Sequence, residues 1–355
     1  MSRWLRRGRR RVLAILPPLL AAACISGGIS LDELSTQPIA LVYWEPEDAR
    51  RRAELMDPTR DSAPTREGIA RMEGLGRLLG ASNSRQWQAL ERYPGHLSLL
   101  DPQTREITRV AAAPAGSRPM AWSSDHRKLL FVSSHRDGTP QLYEHDVDSG
   151  ELRAVTYGDV AHVYGDYAAD GRIGFAALPR RERGLRVDLH VTERAGGSAR
   201  MVLSGELAES MRLSPDGKVM VYVRFREPDS AGRSRGPLEE LVLLSLEPAE
   251  GEVAEPRRVG PGRYPTFSPD GQWIVYSAPS KGRWWLRRVR VDGSARSPVG
   301  HGGIRDEKWP AVSPDGCYVA YVGESGGLDR LFVRRFDGSG DRILLDRGAV
   351  ALPVW

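Results

Sequence analysis

Cysteine is almost missing from this 355-residue chain, which holds only Cys24 and Cys317. Two thiols cannot supply a disulfide framework, so the fold must stand on its apolar core. Lysine is scarce as well: Lys128, Lys218, Lys281 and Lys308 are the only four, and every other basic residue is arginine. Long apolar runs are lacking. Nothing beyond the N-terminus approaches the roughly 18 consecutive apolar residues of a membrane span. The seven histidines are scattered, with no pair at a metal-ligand spacing such as H-E-x-x-H. Asp146-Val147-Asp148-Ser149-Gly150 begins like a calcium loop but lacks the third carboxylate and the distal glutamate, and reads as an Asp-capped turn. No metal or cofactor is therefore expected. What the chain has in plenty is glycine (38) and proline (25), well mixed through the sequence. That composition predicts many tight turns between short strands.

The N-terminus has the anatomy of a targeting segment. Arg3, Arg6, Arg7, Arg9, Arg10 and Arg11 form a basic head, and an apolar run from Val12 to Ala23 follows. Pro17-Pro18 interrupts that run, which argues against a buried helix. Leu20-Ala21-Ala22-Ala23-Cys24 resembles the lipobox of bacterial lipoproteins, with the usual Leu one place early. Residues 1–23 are read as a signal peptide, Cys24 as the lipidated residue and 24–37 as a linker. The absence of Asp after Cys24 suggests the outer membrane. The expectation is an exported, periplasm-facing lipoprotein, or failing lipidation a soluble periplasmic protein. Six of the 51 basic residues and none of the 46 acidic ones precede Cys24, leaving 45 against 46 in the mature chain. The basic balance thus belongs to the leader, and a nucleic-acid partner is not expected. Cys317 falls in an apolar strand pattern, which predicts a buried, inert thiol.

An internal repeat sets the fold. Trp122-Ser123-Ser124-Asp125-His126, Tyr167-Ala168-Ala169-Asp170-Gly171, Leu213-Ser214-Pro215-Asp216-Gly217, Phe267-Ser268-Pro269-Asp270-Gly271 and Val312-Ser313-Pro314-Asp315-Gly316 align, their aspartates 45, 46, 54 and 45 residues apart. Proline pre-sets the turn, Asp caps it and Gly accepts the positive φ that closes it. His126 stands where the other copies have Gly, so a strained or altered turn is expected there. A short apolar strand follows each turn, and a second hairpin follows that strand. Four strands per ~45 residues is the period of a propeller blade. The sixth copy is split: Ala351-Leu352-Pro353-Val354-Trp355 matches the strand before the turn and Ile39-Ala40-Leu41-Val42-Tyr43-Trp44 the strand after it. The prediction is an all-β, six-bladed propeller over residues 38–355, its ring closed by the N- and C-terminal strands.

These repeats resemble the TolB-like propeller family, which carries the same Ser-Pro-Asp-Gly turn and a later Asp-Gly-Ser turn, here Asp292-Gly293-Ser294 and Asp337-Gly338-Ser339. The resemblance covers roughly residues 38–355 and implies a scaffolding role in the cell envelope. TolB itself carries a further α/β domain, for which this chain has no room.

Two interruptions of the repeat locate function. Residues 47–92 separate the second and third strands of the first blade and read as helical over Glu47–Met56, Ser84–Glu91 and a segment capped by Thr65, in which Ile69, Met72, Leu75, Leu78 and Leu79 share a face before Gly80. Arg226–Pro237 interrupts the fourth blade at the equivalent place, with Arg226, Arg233 and Arg235. Because strands alternate in direction, both insertions and all the links between blades fall on one mouth of the channel. The links bring Arg118, Tyr164, Glu209, Arg263, Tyr264, Lys308 and Trp309 to that face, a composition suited to a protein or peptide partner. Gly323-Glu324-Ser325-Gly326-Gly327 fits the G-x-S-x-G pattern of serine hydrolases, but two strands flank it rather than a strand and a helix. No catalytic residue is assigned. The chain reads as a monomeric, non-catalytic binding protein, attached to the membrane through its lipid alone. The alternatives are a propeller hydrolase or lyase and a small-ligand or glycan sensor. Trp284-Trp285 should present opposite strand faces, one to the core and one to the surface.

Overall fold

In the computed structural model, residues 28–56, 89, 92–179, 186–192, 197–225, 239–247, 254–300 and 305–355 are described. The leader with Cys24, the helical segment from Thr65 and the Arg226–Pro237 insertion lie outside them, as does most of Ser84–Glu91. Six four-stranded antiparallel sheets form the six blades of a propeller. From the channel outward, blade 2 runs Arg118–Trp122, Lys128–Ser133, Gln141–Asp146 and Leu152–Ala154. Blades 3 to 6 repeat this order, starting from Ala161–Tyr167, Ala208–Leu213, Arg263–Phe267 and Glu307–Val312.

Turn chemistry builds each blade. In blade 5, the Ser268 hydroxyl donates to the Asp270 carboxylate and accepts from the Trp273 N–H at 2.9 Å. The Gln272 N–H donates to the same carboxylate at 3.0 Å. Ser123, Ser214 and Ser313 make the same bonds in their blades. His126 does adopt the strained left-handed conformation, at φ 56°, and its ring stacks on Trp122. The second and third strands are the most apolar and the most deeply buried, as with Met220, Val221, Tyr222 and Val223 in blade 4. The core is divided into layers between blades. Val221, Leu241 and Leu243 of blade 4 pack on Phe267, Ile274 and Tyr276 of blade 5, and Leu130, Val132 and Leu142 of blade 2 on Ile173 and Phe175 of blade 3.

Blade 1 is the predicted split blade. Its innermost strand is the C-terminal Ala349–Val354, followed outward by Ile39–Trp44, His96–Leu100 and Ile107–Arg109. The register pairs Ala40 with Val354 and Trp44 with Ala349. Ile39, Leu41 and Tyr43 then join Tyr318, Val322, Leu331 and Trp355 in one cluster that ties the first blade to the last.

Three expectations need correction. Cys317 is exposed, because the strand starts one residue later at Tyr318 and leaves the thiol in the turn. Trp284 and Trp285 are both half-buried, since they pair with Pro279 and Ala278 near the hairpin tip, past the full cover of the next blade. The stretch read as a linker is pinned from residue 28 onward: Ile29 and Leu34 are buried, Arg342 donates to the Ile29 carbonyl at 2.6 Å, and Gln103 to that of Leu34 at 2.7 Å. Among the described residues, no helix is long and apolar enough to cross a membrane.

Candidate binding site at the channel mouth

The innermost strand of each blade has one free edge along the channel, which is why it tolerates Pro119, Pro265, Pro310 and Pro353. These strands also slip register against their neighbours, between Glu209 and Arg212, Arg263 and Thr266, and Lys308 and Ala311. At each slip a residue is held with positive φ: Ser210 at 51°, Tyr264 at 56°, Trp309 at 49° and, in blade 1, Leu352 at 53°. Ser210, Tyr264 and Trp309 each stand six residues before the turn aspartate of their blade. A bulge of this kind re-aims a side chain, and here it aims a ring of residues into the channel. Pro119, Tyr164, Ser210, Tyr264, Trp309 and Leu352 line a constriction of only ≈ 70 Å³.

Above that ring, on the side of the insertions, lies a cavity of ≈ 160 Å³. Five of the seven predicted residues line it: Arg118, Tyr164, Glu209, Tyr264 and Trp309. Tyr264 and Trp309 contact each other with ring centroids 5.3 Å apart. The other two predicted residues stand beside the cavity and are already engaged. Arg263 pairs with Glu239 at 3.3 Å and lies 3.5 Å over the Trp284 ring, and Lys308 reaches Asp329 at 3.4 Å. The structure adds Trp44 and Arg52, which sequence reading did not select. Arg52 belongs to helix α1 (Pro46–Met56), whose first turn carries Glu47 and Asp48 in keeping with the helix dipole. Ala49 of α1 is buried against Val42, Trp44 and Ala349, so the helix rests at the mouth and sets Arg52 4.5 Å over the Trp44 ring. The expected helix is thus present, extended by one residue.

The electrostatics of this mouth are unbalanced. Burial holds the Arg118 guanidinium down at about 10, and the nearby Arg52 charge pushes in the same direction. Burial raises the Glu209 carboxyl to about 7; Arg263 counters the rise and Glu239 adds to it. Burial, with the Glu209 charge, lifts Tyr164 well above the ordinary phenol range.

A larger cavity of ≈ 390 Å³ opens at the opposite mouth, among Trp122, His126, Asp166, Arg212, Phe267 and Trp355. Burial pushes Asp166 up to about 6 against the pull of Arg212, and its carboxylate accepts from the Leu213 N–H at 2.8 Å. Nothing in the sequence marked this mouth, since its lining comes from the same turns that build every blade. Ser325 ends the strand Tyr318–Ser325 in a hairpin closed by Gly326 and Gly327, without the helix that a hydrolase nucleophile needs.

A closed ring with a constricted channel and two unequal mouths defines a six-bladed propeller with cavities along its axis. The family model for the TolB β-propeller domain matches residues 94–237. TolB from Acinetobacter baumannii superposes with a TM-score of 0.59 at 18% identity, covering 90% of this chain and 66% of that one. The putative TolB from Agrobacterium tumefaciens gives 0.55 at 20% identity, covering 71% of this chain and 89% of that one. An uncharacterized peptidase, YuxL of Bacillus subtilis, is 28% identical over 193 residues, which are 54% of this chain and 26% of that protein. The chain thus has the six-bladed β-propeller fold seen in TolB, and part of it matches the TolB propeller family.

Proposed function

We propose that this chain is a non-catalytic binding protein of the cell envelope, docking a protein or peptide partner at the insertion-bearing mouth. The observation that carries this reading is the convergence there of Arg118, Tyr164, Glu209, Tyr264 and Trp309 from blades 2 to 6 around one cavity. Aromatic and arginine side chains in a concave, partly desolvated setting are the usual anchors of an interface. Export and anchoring through Cys24 would place that mouth in the periplasm. Labelling with a fatty-acid analogue, abolished by Cys24→Ala, tests the anchoring.

The docking face is tested with a photo-crosslinking residue placed at Trp309 or, on the opposite face, at Asp292. A discrete adduct from position 309 alone is expected in envelope extracts. Trp309→Ala should weaken binding of the captured partner by about 1 kcal/mol or more, whereas Asp148→Ala and Asp292→Ala should leave it unchanged. Equal losses from both faces would show that the partner does not dock at this mouth. The ≈ 390 Å³ cavity of the opposite mouth favours a second reading, a small-ligand sensor. In that case Arg212→Ala, and not Trp309→Ala, would abolish binding.

A further inference from the structure

The charges around the insertion-bearing mouth divide into those that are satisfied and those that are not. Arg263 has Glu239, Lys308 has Asp329 and Arg224 has Glu206. The side chains of Arg118 and Glu209 make no hydrogen bond or ion pair with any described residue, although both line the cavity. Arg52 lies on the Trp44 ring, and its buried Nε is without a hydrogen-bond partner. The two guanidiniums form an anion-seeking arc, since Asp329, the carboxylate whose charge reaches Arg52, is already held by Lys308. Glu209, two blades further round and beyond Tyr164, forms a cation-seeking point. A charge held out of water without a partner costs stability, and the ring needs neither group to close.

Resting on the reading of this mouth as the docking site, we propose that it captures the C-terminus of a polypeptide: Arg118, with Arg52 beside it, takes the terminal carboxylate, and Glu209 takes a basic side chain of the terminal residue. The planar guanidinium fork suits a carboxylate, which it can bind through two parallel hydrogen bonds. Size favours a chain end over a threaded segment. The cavity is ≈ 160 Å³, and the next space down the channel, lined by Pro119, Tyr164, Ser210, Tyr264, Trp309 and Leu352, is only ≈ 70 Å³. On this proposal, a chain that enters the mouth stops at that ring. The wall composition disfavours a phosphate, since Glu209 opposes a dianion on the far side. Tyr264 and Trp309, in mutual contact, offer an apolar wall to the aliphatic part of the terminal side chain.

The test uses the intact protein and a fluorescein-labelled hexapeptide that ends in lysine, as its free acid and as its amide, with an alanine-ended acid beside them. Fluorescence polarisation should show the lysine-ended acid binding at least about tenfold more tightly than its amide, the loss expected for a charge-assisted contact. Arg118→Gln should bring the acid to the amide's level and leave the amide unchanged. Glu209→Gln should erase the preference for lysine over alanine while keeping the preference for acid over amide. The comparison of acid with amide needs no variant, so it stands even if a substitution disturbs folding. Equal binding of acid and amide would overturn the proposal, and so would competition by free lysine as strong as that by the peptide. If no peptide binds while a partner still cross-links at position 309, terminal capture fails and the docking face survives. Loss of both would remove the two together.

Discussion

Glu209 carries a measurable consequence of sitting in this mouth without a partner. Its folded-state pKa is raised to about 7 from 4.5, so the folded protein holds the proton more tightly than the unfolded chain does. The contribution therefore favours folding fully below about pH 4.5 and is lost as pH rises through about 7. Each unit of displacement corresponds to about 1.4 kcal/mol, reduced by the solvent that reaches the mouth. Glu209→Gln should melt at the same temperature as the parent near pH 4.5 and above it at pH 8. Asp166 is displaced in the same direction but is present in both proteins, so its effect cancels from the difference. Thermal scans from pH 4.5 to 8 that stay parallel would refute an unpaired Glu209. A carboxylate whose removal stabilises the fold is one kept for a purpose other than stability. Not every residue was legible in this way. The thiol of Cys317 was misplaced by a single position, the distance between a turn and a strand. Arg52 was missed because its importance comes from where α1 docks, which no local pattern records.

At the scale of elements, the strands were readable because their signals are local. A Ser-Pro-Asp-Gly turn writes its own hydrogen bonds within six residues, from Ser268 to Trp273 for example, and the spacing of such turns counts the blades. The channel-lining bulges were not readable. Positive φ at Tyr264 and Trp309 conflicts with the preference of both residues, and is imposed by closing six strands around one axis. The sequence did place those residues at the mouth where the structure has them, because strand alternation alone decides the face. The insertion is the element whose purpose is most open to experiment. Helix α1 contacts the inner two strands of blade 1 and neighbouring blade 6, and contributes Ala49 and Arg52 there. Among the described residues, Ala49 joins only the small cluster at the mouth, where blade 1 meets Trp309 and Leu328 of blade 6, and the six larger core layers contain no residue of α1. Replacing residues 47–92 by a short linker should therefore leave a folded propeller, with strand-type circular dichroism retained and the melting temperature lowered by no more than a few degrees. It should also lose the adduct at position 309. A variant that unfolds would show instead that the insertion is part of the core.

The whole molecule depends on one join that is non-local in sequence. Every other blade is drawn from a continuous stretch of chain, but blade 1 takes its innermost strand from the last residues and its second from near the first described ones. That strand is held by its ladder to Ile39–Trp44 and by side chains that reach across blades. The Trp355 indole donates to the Gln37 carbonyl at 3.0 Å and the Trp122 indole to the Val354 carbonyl at 3.2 Å. Val350 and Trp355 are both buried in the layer shared with blade 6. Deleting residues 350–355 removes all of this at once. It exposes the free edge of Ile39–Trp44 and leaves Leu41, Tyr43 and Tyr318 facing a gap, and an uncovered apolar edge is a template for aggregation. Loss of a single buried aromatic costs about 3–5 kcal/mol, so the truncated protein should melt on the order of 10 °C lower or precipitate on expression. Because the channel has walls only while the ring is closed, the same truncation should abolish binding at both mouths together, unlike any substitution confined to one of them. A truncated protein that melts like the parent would mean that the C-terminal strand decorates the ring without closing it.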